Sequence, residues 1–323
     1  MLRYLIRRLL FLVLVLVAVS LFTFIVFVKL PAADPAIRAA GRHPSAQLLA
    51  LIRHRFGLDQ PIWVQYWKFA KGLIPLPGFF LDKDVYYSWY SRTAVRDEIF
   101  SRLPITAVLT LGAAAIWLLI GIPIGITSAI KPGSFRDRVS MVAALVFVSA
   151  PVFWLALVLL YVFHFQFGLL PSSGIPYGMS TLQAVLQGRF VLPWFALALT
   201  SAAFYSRMVR GNLMETMNED YIRTARAKGL SEQKVIYKHG LRSALTPVVT
   251  MFGLDVAFLL GGAIITESVF QLPGLGQYAL NSLYQADFPA VMGVTVLGAL
   301  FIVLANLVVD IVYAFLDPRV RYT

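Results

Sequence analysis

Residues 9–28 read LLFLVLVLVAVSLFTFIVFV, a run without a single charge. An α-helix needs about 20 mostly apolar residues to cross a bilayer, and this run supplies them. Arg3, Arg7 and Arg8 precede it and Lys29 follows. A secretory signal shares the basic start, but its apolar region is only about 7–15 residues long. Lys29-Leu30-Pro31 also offers no small-residue cleavage site, so the run reads as a retained span. Composition extends the reading to the whole chain: 323 residues, 59% hydrophobic, 14% charged and no cysteine. A soluble domain carries about 25% charged and about 45–50% apolar residues, so lipid must solvate much of this chain. The same composition excludes disorder, a disulfide scaffold and a thiolate metal site.

Five further apolar stretches follow, at Leu103–Ile130, Val139–Phe165, Val191–Tyr205, Thr246–Thr266 and Phe288–Leu316. Six spans place both termini on one side. On that side lie Arg3, Arg7 and Arg8, then Lys131, Arg136 and Arg138. The connection between the fourth and fifth spans adds Arg207, Arg210, Arg223, Arg226, Lys228, Lys234, Lys238 and Arg242, and the tail adds Arg319 and Arg321. The two short connections opposite, Gln166–Phe190 and Glu267–Asp287, hold only Arg189. The positive-inside rule therefore puts both termini in the cytoplasm. It also accounts for the formal charge of +12 without nucleic acid, with anionic membrane lipid as a second use of the basic residues.

The long external segment after the first span escapes the charge rule, which weakens beyond about 60 residues. Its stretch Pro61–Leu81 is rich in aromatics (Trp63, Tyr66, Trp67, Phe69, Phe79, Phe80), while Lys68, Lys71, Pro75 and Pro77 argue against a seventh span. Two readings fit: an interfacial helix, and a packed lid over the other helices. Pro123 and Pro151 lie well inside their spans and mark expected kinks. Gly112 to Ala115, Gly261 and Gly262 suit close helix packing.

Catalytic patterns are absent from the sequence. There is no G-x-x-x-x-G-K-[ST] loop and no H-E-x-x-H, and His43, His54, His164 and His239 are scattered without ligand spacing. Neither catalytic nor metal-binding residues are expected. Two carboxylates fall inside apparent spans. A charge at that depth costs about 2.5–3.5 kcal/mol on insertion scales and normally faces protein or water. Asp310, near the cytoplasmic end of its span, is expected to pair with a basic residue. Asp255, nearer mid-span, is a candidate for the translocation path; a buried hydrogen-bonded role fits it equally.

The cytoplasmic stretch Asn218–Pro247 reads NEDYIRTARAKGLSEQKVIYKHGLRSALTP. Asn218 suits an N-cap, Glu219 can pair with Arg223, Gly229 suits a left-handed helix end, and Ser231 can cap a second helix. Ala225 and Gly229, four apart, are expected on one small-residue face, with Tyr221 and Leu230 as apolar anchors. Such an element fits a cytoplasmic protein partner and equally an anionic lipid surface.

The run DYIRTARAKGL at 220–230, with KHGLRSALTPV at 238–248, resembles the cytoplasmic signature of the dipeptide/oligopeptide/nickel permease family. So do RYLIRRLL at 3–10, FGLDQPIWVQY at 56–66, TESVFQLPGLG at 266–276 and VDIVYAFLDPRVR at 309–321. The matches run in order from first span to last. The resemblance implies an all-α integral membrane protein with six transmembrane helices and the type I fold of ATP-binding-cassette importers. It divides the chain into an N-terminal helix (1–30), an extracytoplasmic segment (31–97), a permease domain (98–316) and a cytoplasmic tail (317–323). The element at 220–230 would be the coupling helix, docking on an ATPase through Tyr221, Arg223, Thr224, Ala225, Arg226, Ala227, Gly229 and Leu230. The general importer pattern Glu-Ala-Ala-x3-Gly reads Arg223-Thr224-Ala225 before Gly229 here, so the ion pair of the generic glutamate is missing.

The implied function is transport of di- or oligopeptides across the inner membrane of a prokaryote. The implied partners are a second homologous permease, two cytoplasmic ATPases that hold ATP and Mg, and an extracytoplasmic substrate-binding protein. The chain itself is expected to be no enzyme and to hold no cofactor. Relatives carrying nickel, haem or oligosaccharide remain within the same reading. A proton-coupled secondary transporter, with Asp255 as relay, and a lipid-surface scaffold are the rivals.

Overall fold

A computed structural model describes residues 2–29, 36–37, 45–55, 57–72, 74, 80–83 and 86–316. The tail expectations, including Arg319 and Arg321, lie outside the described residues, as do Pro75, Pro77 and Phe79. The described residues are helical apart from turns and one isolated bridge, Tyr87 to Ala94. Among the described residues three helices are long and apolar enough to cross a membrane, Leu10–Val28, Val95–Ile130 and Phe288–Val312, and two bent pairs, Phe135–Ser149 with Val152–Gln166 and Glu232–Ala244 with Thr246–Leu260, are so when each pair is taken as one span.

The elements are α1 (Leu2–Phe24, continued as a π-turn over Ile25–Lys29), α2 (Ala46–Arg55), α3 (Ile62–Lys71), α4 (Val95–Ile130), α5 (Phe135–Ser149) and α6 (Val152–Leu159). After α6 the chain continues as a π-segment over Leu160–Gln166. Then come α7 (Thr181–Leu186), α8 (Val191–Thr216) and α9 (Asp220–Ala227). A composite helix follows: α10 (Glu232–Lys234), a π-segment (Val235–Gly240) and α11 (Leu241–Ala244). The chain ends with α12 (Thr246–Leu260), α13 (Ile264–Val269), α14 (Leu275–Tyr284) and α15 (Phe288–Leu316).

Several expected boundaries move. The second span starts earlier, because Val95–Arg102 adds two turns held by the Glu98–Arg102 ion pair at 2.9 Å. The fourth continues past Tyr205 to Thr216, since hydropathy marks the bilayer and not the end of the helix. The fifth stops at Leu260, short of Thr266, where Gly262 takes φ +127°. The third is two helices, α5 and the stretch from Val152 to Gln166, bent by 102°. Pro151 acts as a break and not as a kink. Pro123 leaves α4 continuous.

The chain divides into two compact units. The first takes in Met1–Thr106, Ala257–Ile264 and Pro273–Leu307. Its core joins Phe24, Phe69, Leu81, Tyr86, Ile99, Leu275, Met292 and Leu297. The aromatic helix α3 has one packed and one open face. Phe69 faces the core, Tyr66 shares a 2.9 Å hydrogen bond with Ser20 of α1, and Trp63 and Trp67 on the opposite face are 71% and 60% exposed. Tyr86 is fully buried and donates to the Phe69 carbonyl at 3.1 Å. The turn at 88–91 is clamped by buried Asp287, which accepts from the Ser88 hydroxyl and, at 3.0 Å, from the Trp89 amide. Gly262 and Gly276 bring two backbones together, because a Cβ on Gly262 would lie 2.6 Å from the Gly276 backbone.

The second unit takes in Ala107–Val256, Ile265–Leu272 and Val308–Thr323. Small residues on α4 admit α8: a Cβ on Gly121 would meet the Ala202 carbonyl at 2.9 Å, and one on Gly125 the Ser206 carbonyl at 2.7 Å. Trp194 covers Gly112 and donates through Nε1 to the Val108 carbonyl at 3.0 Å. Fully buried Trp117 packs against Tyr205 and Phe252, with ring centroids 6.0 and 6.1 Å away.

Candidate functional site

The segment after α8 folds on itself. Glu219, with extended backbone, is the N-cap of α9 and makes no side-chain capping bond; Asn218 instead donates to the Met214 carbonyl at 3.0 Å. The helix ends at Ala227. There the Leu230 amide returns to the Ala225 carbonyl (3.4 Å) and the Gly229 amide to the Arg226 carbonyl (2.9 Å). These paired bonds form a Schellman end, and it requires the left-handed φ of +74° that Gly229 adopts. Ser231 caps the next helix by backbone only, and Glu232 turns back to Arg226.

Beneath α9 lies a small core of Ile222, Ala225 and Val235, with Met217 against it. Ala225 is only 7% exposed and faces this core. The expected shared face of Ala225 and Gly229 does not form, since the helix stops before Gly229. Tyr221, Arg223, Thr224, Arg226, Ala227, Gly229 and Leu230 are all exposed. Tyr221, 44% exposed, donates to the Ser243 hydroxyl at 3.0 Å. Arg223 approaches Asp220 at 3.6 Å, taking the place of the expected pair with Glu219. Arg226 binds Glu232 through two nitrogens, at 3.1 and 2.7 Å. Those bonds hold the Glu232 carboxyl below its ordinary pKa.

A second feature escaped sequence reasoning. Asp137 is buried at the start of α5, and Arg210 of α8 grips it through Nε (2.6 Å) and Nη2 (2.9 Å). The Gly133 amide adds a third bond at 2.8 Å. The fork fixes the loop after α4 to the C-terminal part of α8. In the charge count Arg210 was one basic residue among many. The available signal was Asp137 standing alone between Arg136 and Arg138 in a basic loop.

Asp255 lies in the second unit, half-buried, and accepts a hydrogen bond from Tyr205 at 2.7 Å. Asp310 is buried. Among the described residues no group of three or more His, Cys, Asp or Glu could hold a metal.

Known proteins resemble the chain along its length. The family described as "Binding-protein-dependent transport system inner membrane component" matches residues 121–322, and its N-terminal counterpart, "Binding-prot-dependent transport system membrane comp, N-term", matches 1–110. Glutathione transport system permease protein GsiC of Salmonella choleraesuis (strain SC-B67) is 40% identical over 323 residues, covering all of both chains. GsiC of Escherichia coli (strain K12) is 39% identical over 322 residues, again covering all of both. A solved structure of the MetNI methionine ABC transporter, in inward-facing conformations, matches 69% of this chain and 97% of its own at 22% identity with a TM-score of 0.54. That likeness shows the fold, the type I importer permease fold. The chain belongs to the family of binding-protein-dependent transport system inner membrane components, the permease subunits of ATP-binding-cassette importers, whose ATP hydrolysis resides on separate subunits.

Proposed function

We propose that this permease carries glutathione or other short peptides inward, in a complex with a second homologous permease, two ATPases that hold ATP and Mg, and an extracytoplasmic binding protein. The observation that carries the cargo is the 39–40% identity to glutathione permeases without an unmatched stretch in either chain. In this reading all six apolar stretches cross the membrane, with both termini in the cytoplasm. The external segment 31–97 faces the binding protein, and 98–316 forms the permease domain. The exposed residues Tyr221, Arg223, Thr224, Arg226, Ala227, Gly229 and Leu230 meet an ATPase, while Ala225 supports them from beneath. ATP draws the two ATPases together, the docked elements follow, and the spans exchange one packing for another.

The test is to isolate the tagged chain from native membranes in mild detergent, identify what accompanies it, and reconstitute the complex with its binding protein. ATP-dependent accumulation of radiolabelled glutathione is the expected result. A complex that hydrolyses ATP yet is neither stimulated by glutathione nor accumulates it, while accepting nickel, haem or an oligosaccharide, would overturn the cargo. A chain that moves solute with no ATPase attached would overturn the complex.

A further inference from the structure

The break in the third apolar stretch has a chemistry of its own. Ala150 (φ −77°, ψ 126°) and Pro151 (φ −61°, ψ 137°) are extended, and the helices on either side are turned 102° apart. The ladder is cut in both directions. In a continuous helix the Ser149 and Ala150 carbonyls would accept from the Phe153 and Trp154 amides; here those bonds are not made, and the first amide of α6 to return is Leu155, to Pro151. The break therefore leaves the carbonyls of Phe147, Val148, Ser149 and Ala150 and the amides of Val152, Phe153 and Trp154 without helical partners. α5 has 15 residues, about 22 Å of rise, which puts the break within the roughly 30 Å of hydrocarbon.

Backbone freed at that depth is tolerated only where protein buries it or water reaches it. Ser149 and Pro151 are exposed on this chain. The break opens on a hollow of about 560 Å³, walled by Leu145, Val146, Phe153 and Trp154, with no charged residue in its lining. Lipid tails have no groups to pair with such a surface. A peptide link carries one N–H and one C=O, the two groups that complete both cut ends.

We infer that this hollow is a contact station on the translocation path, where the backbone of the passing peptide pairs with the cut ends of α5 and α6 while its side chains slide along the apolar walls. The inference rests on the proposed peptide cargo. It also explains how such a station suits transport: neutral hydrogen bonds without an ion pair hold the solute long enough to enter and weakly enough to leave.

The cysteine-free parent makes the test direct. Ser149→Cys, and Leu119→Cys as an exposed apolar control on α4, are assembled into the complete importer in nanodiscs and treated with the water-soluble thiol reagent MTSES. Ophthalmate, a thiol-free tripeptide, serves as cargo. The cysteine at 149 is expected to react several-fold faster than that at 119, to be shielded by ophthalmate, and to abolish its uptake once modified. A cysteine at 149 that reacts no faster than the control, or whose modification leaves uptake intact, overturns the station while the peptide reading stands. An unlabelled parent that does not carry ophthalmate or glutathione overturns the cargo reading and the inference with it.

Discussion

Asp137 and Arg210 hold together more of the fold than their places in the sequence suggest. The carboxylate is 4% and the guanidinium 25% exposed, so removing one partner strands a charge largely out of water. Breaking such a pair costs on the order of 3 kcal/mol. Arg210→Met and Asp137→Asn should each lower the melting temperature of the detergent-solubilised complex, and the exchange Asp137→Arg with Arg210→Asp should recover part of the loss. Equal melting of all three variants and the parent would show that the fork contributes nothing. Gly229 is sensitive for another reason. A Cβ there meets nothing within 4 Å, so only the backbone resists substitution. A β-branched residue forced to that left-handed φ costs about 1–2 kcal/mol. Gly229→Val should thus weaken ATPase co-purification, whereas Gly229→Asn should preserve it.

At the scale of elements, the reading from sequence succeeded where one physical signal sufficed. The last helix runs Phe288–Leu316 as its apolar pattern predicts, and Gly229 ends α9 as its conformational freedom predicts. It failed where two elements had to be known together. Pro151 announces a disturbed helix, but the 102° turn depends on Ala150 and Pro151 both being extended, which proline's position does not reveal. Ala225 was expected to share a small-residue face with Gly229; its methyl packs with Ile222 and Val235, a contact that spacing along one helix does not reveal. The Asp137–Arg210 fork joins residues 73 apart, beyond the reach of any local pattern. The broken third stretch also bears on topology. Tyr177, fully exposed in the connection after it, should react as a cysteine only with impermeant reagent applied outside, and Lys228→Cys only with reagent applied inside. Labelling of both from one face would mean that the stretch turns back without crossing.

For the molecule as a whole, the question is what drives it. ATP-driven transport makes Asp255 a structural acceptor for Tyr205, while a proton-coupled mechanism makes it the relay. Asp255→Asn keeps an acceptor oxygen for the phenol, so ATP-dependent uptake should survive with ATP hydrolysis still coupled to it. Loss of uptake with undiminished hydrolysis would favour the relay. The two outcomes separate the rival classes without knowledge of the substrate.

The small core beneath α9 has a mechanical meaning. Ile222, Ala225 and Val235 pack together, Arg226 is strapped to Glu232, and Tyr221 is tied to Ser243. An isolated helix of eight residues is too short to hold its shape in water, and one that had to fold on each contact would spend part of every stroke on its own ordering. Braced from within, this one would serve the proposed docking as a stiff lever arm: displacement imposed on its outer surface would be delivered to the spans as displacement, with little lost to deformation along the way.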